Sequence, residues 1–553
     1  MTKRGYDLIR DPLLNKGTAF TAQERDELGL HGLLPSQHNT MNQQVKRILA
    51  SVRALTAPLD KYVSLAALQD RNEHLFYRLL VDHIEELMPI VYTPTVGLAT
   101  QNFSHVFQRG RGVWITPDLR GRIAEVLEAA AGSRDIRLIV ATDNESILGI
   151  GDQGAGGMGI SIGKLALYVA GAGIAPAATL PVSIDVGTNN RSLLDDDLYL
   201  GWPHERIEGA DYHTLIDEFV EAVQRVFPGA MIQWEDFRKD NALAILDRHR
   251  SNITSFNDDI QGTSAVALAA LISAARISGV TFADHRVVIH GAGAAGLGIA
   301  RLIKTELVRN GLSQDQAAAR VAVLDSRGLL VNDQQMRDAY KHELAWPVET
   351  ATELGLTPDQ RSLDHVVGAF QPTVLIGTSG QAGAFSEALV TAMAQAVERP
   401  LIMPFSNPTD RAEATPADLI RWTHGRALVA TGSPFEPVVY EGRTYVIGQA
   451  NNVFIFPGLG LGTLGAQASS VTDGMVSAAS EALGLTVRED ELARGLLFPA
   501  ISRLREVSLQ IALAVAKQAE ADGVAGCTVD ADRLAASMWS PDYPTYTGVA
   551  DIS

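Results

Sequence analysis

The chain has 553 residues, which is more than one ordinary hydrophobic core holds, so roughly two to four domains are expected. Hydrophobic residues make up 46%, charged residues 20%, and 49 glycines are spread along the chain, a composition typical of a soluble α/β enzyme. The 64 acidic residues outnumber the 46 lysines and arginines, giving a net charge of −18. That balance argues against a nucleic-acid or anionic-membrane partner.

A single cysteine, Cys527, excludes an intramolecular disulfide and a metal site made of thiolates. The N-terminus has basic residues but lacks the apolar core of a secretory signal. We find no long uninterrupted apolar run suited to a bilayer, so we expect no membrane partner and a cytoplasmic location.

The first 111 residues have a mainly helical pattern. Apolar residues recur at helical spacing and should face a core: Leu75, Leu79, Leu80, Ile84 and Leu87. We expect this helix to end before Pro89. Tyr92 follows, beside a turn, where it is either a half-buried packing residue or a proton donor facing a cleft.

Between 112 and 257 strands alternate with helices. A strand ends near Asp143, and a glycine-rich loop then enters a helix that carries Lys164. After a further strand and an amphipathic helix, the strand MIQW ends in Glu235 and Asp236. A last helix leads to the run FNDD, which ends in a second pair of acids.

A second α/β series runs from 258 to 451. The strand-like runs RVVIH, VAVLD, TVLIG, LIMPF and ALVAT are apolar throughout, which suits parallel strands buried on both faces. We therefore predict a right-handed doubly wound sheet. Beyond it the chain is helical again, with an amphipathic segment at 502–521.

Four stretches match the pattern Gly-x-Gly-x-x-Gly, beginning at Gly149, Gly154, Gly291 and Gly460. Dinucleotide binding needs a preceding strand, a helix N-terminus aimed at the pyrophosphate, and an acid after the next strand. The Gly291 stretch has all three, although its acid, Asp325, lies further along the chain than the usual ~20 residues. The predicted cofactor site is therefore Gly291, Gly293, Ala294, Ala295, Gly296 and Asp325.

The other glycine stretches fit less well. The loop from Gly149 to Gly159 also follows a strand, but Asp152 would face a pyrophosphate with like charge. The Gly460 stretch is better explained by helix packing. The choice between NAD and NADP stays open, because Asp325 favours a free ribose hydroxyl whereas Arg327 could neutralise a phosphate.

Two strands end in paired acids, Glu235 with Asp236 and Asp258 with Asp259. Each pair alone would most simply cap a helix or face solvent. Together they indicate a shared hard cation, magnesium or manganese, because all the candidate ligands are oxygens. Lys164 is either a solvated lysine or, if buried beside the metal, a base.

These residues add up to a family resemblance that covers nearly the whole chain. The motifs that carry it are YTPTVG at Tyr92, GDQGAGGMGI and IGKL around Lys164, WEDF at Glu235, FNDDIQGT at Asp258, GAGAAGLGIA at Gly291, SNPT at Asn407, ATGSPF at Thr431 and NNVFIFPG at Asn451. In these stretches the sequence resembles the malic enzymes.

The resemblance implies a role for each matching residue. Glu235, Asp236 and Asp259 match metal ligands, Lys164 the base and Tyr92 the acid. Asp258 matches the acid that supports the lysine. The amides Asn407 and Asn451 match groups that contact malate, and Asn407 also borders the cofactor.

The resemblance also implies the reaction and the domain organisation. We expect L-malate to be converted to pyruvate and CO2 with NAD, or NADP, and Mn²⁺ or Mg²⁺, in a homodimer or homotetramer. The implied domains are 1–111, helical; 112–257 with 452–520, the metal and substrate side; 258–451, an inserted Rossmann-type domain; and 521–553, an extension.

One departure from the family pattern and several alternative functions remain. Ser146 stands where most malic enzymes carry an arginine that grips a malate carboxylate, a contact also lacking in the related malolactic enzymes, which form lactate. More distant alternatives are a metal-independent amino-acid dehydrogenase with two domains and a non-catalytic NAD-binding protein.

Overall fold

The computed structural model describes residues 3–336 and 338–546. Contacts within the chain define two compact units: the first ends at Phe237 and resumes at Ala531, and the second is Arg238–Asp530. The four-part division inferred from the sequence is a different partition and stays a prediction. The predicted α/β fold class, with a helical N-terminal region and a Rossmann-type sheet, is confirmed.

The first unit begins with a run of helices. Its α-helices are Gly5–Ile9, Ala22–Leu28, Met41–Ala54, Pro58–Gln69, Glu73–Asp82, Ile84–Val91, Thr95–Gln101, Phe103–Val106, Ile123–Ala131, Met158–Ala172, Arg191–Leu194, Gly209–Val226 and Ala531–Ser537, and its 3₁₀ turns are Gly17–Ala19, Pro117–Leu119, Gly154–Gly157 and Pro176–Ala178.

The predicted core face of the N-terminal helices is confirmed, since all five apolar residues chosen from the sequence are buried. The predicted end before Pro89 is wrong, because the helix Ile84–Val91 continues through it. Proline removes one backbone donor. The helix persists because its apolar residues, among them Leu87 and Ile90, are buried.

A parallel sheet forms the rest of the first unit. Its strands are β1 Val113–Ile115, β2 Leu138–Thr142, β3 Thr179–Ile184 and β4 Met231–Trp234. They lie in the order β1-β3-β2-β4, all parallel, with Leu138 opposite both Thr179 and Met231. All residues of β2, β3 and β4 are buried, which is typical of parallel strands covered on both faces.

The second unit contains the doubly wound sheet. The strands of this unit, not all of which belong to that sheet, are β5 Ser255–Asn257, β6 Val287–His290, β7 Val321–Asp325, β8 Gly328–Leu329, β9 Val374–Gly377, β10 Leu401–Pro404, β11 Leu428–Thr431, β12 Val438–Tyr440, β13 Arg443–Tyr445 and β14 Gly448–Gln449. The large sheet has the order β14-β11-β10-β9-β6-β7-β8, and β12 pairs with β13.

The direction in which successive strands are added to the sheet reverses at β6. From β6 the chain passes to β7 on one side and later to β9 on the other, and these strands are parallel. In open α/β sheets, ligands bind at the carboxyl ends of the strands at such a switch point. Among the described strands of this large sheet, only the short β8 pairs antiparallel, with β7.

Helices cover this sheet and continue after it. The α-helices of the second unit are Lys239–His249, Thr263–Ser278, Ala294–Arg309, Gln314–Ala319, Ala339–Leu344, Val348–Glu353, Leu363–Phe370, Glu387–Ala396, Pro416–Trp422, Phe456–Gly465, Asp473–Thr486, Glu489–Ala493 and Leu504–Ala521, with a π-helical turn at Asp258–Gly262 and 3₁₀ turns at Phe282–Asp284, Thr409–Arg411, Asn452–Phe454 and Ile501–Arg503.

The glycines that follow Pro457 serve helix packing, as predicted. A Cβ on Gly458 would lie 2.6 Å from Ile511 Cβ, and one on Gly462 would lie 2.5 Å from the carbonyl oxygen of Ala512. Both contacts are with the helix Leu504–Ala521, so the two helices approach too closely for side chains.

Two helical segments are long and apolar enough to cross a membrane by length and composition, Gly154–Ala172 and Asp258–Ser278. Charged residues stand in both segments, Lys164 in the first and Asp258 and Asp259 in the second, so neither is an uninterrupted apolar run of the kind sought in the sequence. Within the protein 94% and 72% of their residues are buried, which is typical of core helices.

Candidate active site

Lys164 and Tyr92, far apart in the sequence, lie together in the first unit. The Lys164 side chain is buried, with its Nζ 5.2 Å from the centre of the Tyr92 ring. A Cβ on Gly163 would lie 2.9 Å from the carbonyl oxygen of Val91 and 3.2 Å from Tyr92 Cδ2. Glycine at 163 therefore lets the lysine-bearing helix approach the segment that carries the tyrosine.

Glu235 forms an ion pair with this lysine. Its Oε1 lies 3.0 Å from Lys164 Nζ, and both side chains are about 2% exposed. The Nε2 of Gln233 donates to Glu235 Oε2 at 2.7 Å, and Tyr168 Oη donates to Gln233 Oε1. Gln233 was missed from the sequence, where its only signal is one polar residue inside the apolar strand MIQW.

Asp236 has a strained backbone, with φ at +57°. A left-handed conformation of this kind costs a non-glycine residue about 1–3 kcal/mol. Its carbonyl oxygen accepts from Ser146 N at 3.1 Å, and its Oδ2 accepts from Leu148 N at 3.1 Å. The loop after β2 thus holds the turn after β4 in place.

Buried Arg206 organises the loops around the first glycine-rich turn. Its guanidinium lies 3.4 Å from Asp143 and 3.5 Å from Asp152. Asp152 also accepts from the backbone N–H groups of Gly154 at 3.0 Å and Asn189 at 2.8 Å. With these contacts Asp152 fixes the shape of the loop. Burial raises the pKa of Asp143, the other acid beside Arg206, although the arginine opposes the shift.

The protein's own atoms fill the first glycine-rich turn. Gly154 to Gly159 are all buried, and added Cβ atoms would meet neighbours within 2.1–2.5 Å. These contacts are Gly154 with Tyr199 Oη, Gly156 with the carbonyl oxygen of Thr100, and Gly157 with Asn144 Oδ1. These glycines permit close packing and leave little room for a phosphate.

The second glycine turn, after β6, is open. Gly291 has a φ of +128°, and a Cβ there would lie 2.5 Å from the carbonyl carbon of Thr378, so only glycine fits. Above Gly293, by contrast, no atom lies within 4 Å of an added Cβ. Gly293 is the residue before the helix Ala294–Arg309, whose first N–H groups have no partners within the helix.

Asp325 ends β7, as expected, and is paired with cations. Its Oδ2 lies 2.6 Å from Lys341 Nζ and 3.7 Å from Arg327 Nη2. Burial raises the pKa of Asp325, but the hydrogen bond from Lys341 and the other interactions outweigh it, and the net shift is downward. Lys341 was missed from the sequence because it lies sixteen residues beyond Asp325, in the helix Ala339–Leu344.

The two aspartates after β5 do not cap the helix that follows. The cap is Asn257, whose Oδ1 accepts from Ile260 N at 2.9 Å, so the simple capping interpretation of Asp258 and Asp259 is wrong. Asp258 is buried, and its Oδ2 accepts from Asn452 Nδ2 at 2.9 Å. Asp259 is half-buried.

The two amides follow strands of the large sheet. Asn407, after β10, accepts from Ser433 Oγ at 2.5 Å. Asn451, after β14, accepts from Val453 N at 3.0 Å and caps a 3₁₀ turn. Because β6, β9, β10, β11 and β14 are parallel, both amides lie at the sheet edge that carries the second glycine turn.

Glu413 connects two loops of this edge and was also missed from the sequence. Its side chain is fully buried and accepts from Ser379 N and Oγ at 2.9 Å and from Ser406 Oγ at 2.5 Å. A Cβ on Gly377 would lie 2.4 Å from its carboxyl carbon. No sequence pattern marks a buried acid in the run RAEATP.

Comparison with known proteins agrees with the fold and the motifs. Family models described as malic enzyme, N-terminal domain, and malic enzyme, NAD binding domain, match residues 69–250 and 260–520. NAD-dependent malic enzymes of Sodalis glossinidius and Acinetobacter baylyi are 47% and 46% identical to this chain, over 98% and 99% of it and 96% and 97% of their own lengths.

Solved structures share the fold. The malic enzyme of Entamoeba histolytica has a TM-score of 0.56 at 24% identity, with 94% of this chain and 92% of that chain covered. The enzyme of Pyrococcus horikoshii has a TM-score of 0.55 at 22% identity, covering 82% and 88%. The fold is therefore that of malic enzymes. Because the family models match most of the chain, and relatives are 46–47% identical over 98–99% of it, the chain belongs to the malic enzyme family.

Proposed function

We propose that the protein catalyses oxidative decarboxylation of L-malate to pyruvate and CO2, with reduction of NAD and dependence on Mn²⁺ or Mg²⁺. The observation that carries the proposal is the buried group of Lys164, Tyr92 and Glu235. Relatives that are 46–47% identical and named NAD-dependent malic enzyme support it.

NAD fits the second glycine turn. Open space above Gly293 and the free N–H groups of the following helix suit a pyrophosphate. Gly291, Ala294, Ala295 and Gly296 would surround it. Asp325 would accept from the ribose hydroxyls, and its ion pair with Lys341 keeps it charged for that purpose.

A divalent metal fits the carboxylates. Glu235 and Asp236 follow β4, and Asp259 begins the turn after β5. Three carboxylates without sulfur or imidazole select a hard ion such as magnesium or manganese. The strained backbone of Asp236 is typical of a functional residue. Because Asp259 belongs to the second unit, joint binding by all three is part of the proposal.

The chain's own residues move the protons. Lys164 takes the proton from the C2 hydroxyl of malate, and Tyr92 later donates a proton to C3 of the enol that remains after CO2 leaves. Bound NAD would accept the hydride from C2, and the metal would act as a Lewis acid. Asp258 would support the lysine, and Asn407 and Asn451 would orient malate, with Asn407 also bordering the cofactor.

The protein's assembly and location belong to the same proposal. We expect a homodimer or homotetramer in the cytoplasm, acting on malate and pyruvate as small-molecule ligands. The single cysteine suits a reducing compartment. Size-exclusion chromatography with light scattering would measure the subunit number.

The test is incubation with L-malate, manganese and NAD while NADH and the carbon products are measured together. Pyruvate with stoichiometric NADH is the expected result. Lactate without accumulating NADH would instead select the malolactic reaction. Full activity after removal of divalent cations would support an amino-acid dehydrogenase, and absence of turnover with every acid tested would indicate a non-catalytic protein.

A further inference from the structure

Four arginines line one cavity in the second unit. The cavity has a volume of about 100 Å³, and Arg399, Arg426, Arg443 and Arg494 contribute to its wall. We call it the arginine pocket. No aspartate or glutamate is among the residues that line it in the described part of the chain. Such a concentration of positive charge is unexpected in a protein with a net charge of −18.

Three of the four arginines of the pocket lack an acidic partner among the residues that the structure describes. Within the described residues no carboxylate oxygen lies within 4.0 Å of the guanidinium nitrogens of Arg399, Arg426 or Arg443. Arg494 has one partner, Asp490, at 3.9 Å, and both side chains are mostly exposed. The pocket therefore carries a net positive charge that its wall does not neutralise.

Backbone carbonyls hold two of these arginines in position. The Nε of Arg399 donates to the carbonyl oxygen of Arg426 at 2.9 Å, and the Nε of Arg426 donates to that of Thr423 at 3.2 Å. Carbonyls orient a guanidinium but carry no net charge. Burial lowers the pKa of Arg399, and the positive charge of Arg443 lowers it further, against a smaller opposing effect of Glu398.

One wall of the pocket is aromatic and apolar. The guanidinium of Arg443 lies 5.0 Å from the centre of the Tyr445 ring, and Ile447 and Val429 also contribute. Stacking on an aromatic ring holds a guanidinium without neutralising it. The apolar wall could contact an organic group attached to a bound anion.

The arginine pocket lies away from the proposed cofactor edge of the same sheet. Arg399 comes two residues before β10, and Arg426 comes two residues before β11. The second glycine turn follows the carboxyl end of β6, which is parallel to these strands through β9. Amino ends and carboxyl ends of parallel strands lie on opposite edges, so the two sites are distinct.

We propose that the arginine pocket binds a small anion through a phosphate group. Its volume of about 100 Å³ is enough for several water molecules, and so for one phosphate group. Several guanidiniums around one cavity match the multiple charges and acceptor oxygens of a phosphate better than the single charge of a carboxylate. The source could be inorganic phosphate or a small phosphate ester, whose organic part would contact Tyr445.

The test is calorimetric titration of the full-length protein, saturated with NAD so that the dinucleotide site is filled. Inorganic phosphate, AMP and succinate are titrated separately at low ionic strength. We expect saturable binding of phosphate, tighter than that of succinate and weakened by salt. Tighter binding of AMP than of phosphate would identify an ester as the ligand.

Two arginine variants make the test specific. Arg443→Gln should weaken phosphate binding by at least ~10-fold, because a charge-assisted contact is lost. Arg421→Gln is the matched control, since Arg421 is exposed, paired with Asp418 and outside the pocket. Both variants should keep the melting temperature and the rate of malate oxidation. Absence of saturable phosphate binding, equal binding in Arg443→Gln, or tighter binding of succinate would overturn the proposal.

Discussion

The two glycine-rich turns of this protein match the same sequence pattern and serve different purposes. The first turn belongs to the first unit, and its part from Gly154 to Gly159, which enters the helix, is packed against the protein's own side chains and backbone. The turn from Gly291 to Gly296 belongs to the second unit and has open space above Gly293. Both enter a helix, but only the second leaves that helix N-terminus accessible.

The contrast shows what a glycine motif can report. In the first turn glycine allows close contact with neighbouring segments, such as that of Gly156 with the carbonyl oxygen of Thr100. In the second it allows a sharp bend beneath a helix end that can accept an anion. The pattern alone records only the absence of a Cβ. Its meaning depends on what that Cβ would meet.

The largest expected effect is that of Gly291→Ala. Its φ of +128° is rarely adopted by alanine, and the new Cβ would lie 2.5 Å from backbone atoms of Thr378. We expect the free energy of unfolding to fall by about 3 kcal/mol or more, measured by urea denaturation. Stability equal to that of the unsubstituted protein would contradict the geometry of the second turn.

A smaller loss of stability is expected for Gly156→Ala in the first turn. Its backbone φ is ordinary, but the Cβ would lie 2.5 Å from the carbonyl oxygen of Thr100. We expect a loss of about 1–3 kcal/mol. NAD affinity, measured by calorimetry, should stay within about twofold of the unsubstituted value. A large and selective loss of NAD affinity would move the cofactor to the first turn.

Gly293→Ala separates ligand binding from folding. The added methyl meets no protein atom within 4 Å, and the backbone of Gly293 is extended, so folding stability should be unchanged. A pyrophosphate at this turn would meet the methyl, and we expect NAD affinity to fall by ~10-fold, or about 1.4 kcal/mol. Unchanged NAD affinity would mean that the dinucleotide does not approach Gly293.

The smallest effect concerns acid stability at the amino end of β6, the strand that leads to the second turn. Burial lowers the pKa of His285, next to β6, from 6.5 to about 4. Because the unfolded chain binds a proton first as the pH falls, stability is full above pH 6.5 and is lost progressively toward pH 4. We expect about 1 kcal/mol to be lost between pH 7 and pH 5.5.

The matched variants for the acid effect are His285→Gln and the exposed His365→Gln. The free energy of unfolding, measured by urea denaturation, should fall less between the two pH values in His285→Gln than in the unsubstituted protein. In His365→Gln it should fall as much as in the unsubstituted protein. The same pH dependence in both variants would contradict the assignment to His285.

Much of the fold follows from local patterns. Apolar runs predicted the inner strands of both sheets but not the short strands β1, β8 and β14, and helical periodicity predicted the buried leucines of the N-terminal region. The end of the helix near Pro89 was wrong because tertiary burial outweighs one missing hydrogen bond. The capping interpretation of Asp258 and Asp259 was wrong because Asn257, just before them, already serves as the cap.

The supporting residues of the site were harder to predict. Gln233, Lys341 and Glu413 contact their partners through the folded structure, and none of them stands in a motif. The acids and glycines were identifiable because strand ends and turns mark them. Side chains that orient those acids depend on which strands and loops become neighbours, and one sequence does not specify that.

The most direct test of the central claim separates cofactor binding from chemistry in one variant, Lys164→Ala. Lys164 follows the packed first turn, whereas the proposed NAD site is the open second turn. We therefore expect NAD affinity within about twofold of the unsubstituted enzyme and malate oxidation lowered by at least ~100-fold. Near-normal oxidation, or loss of NAD binding in a folded variant, would contradict the account.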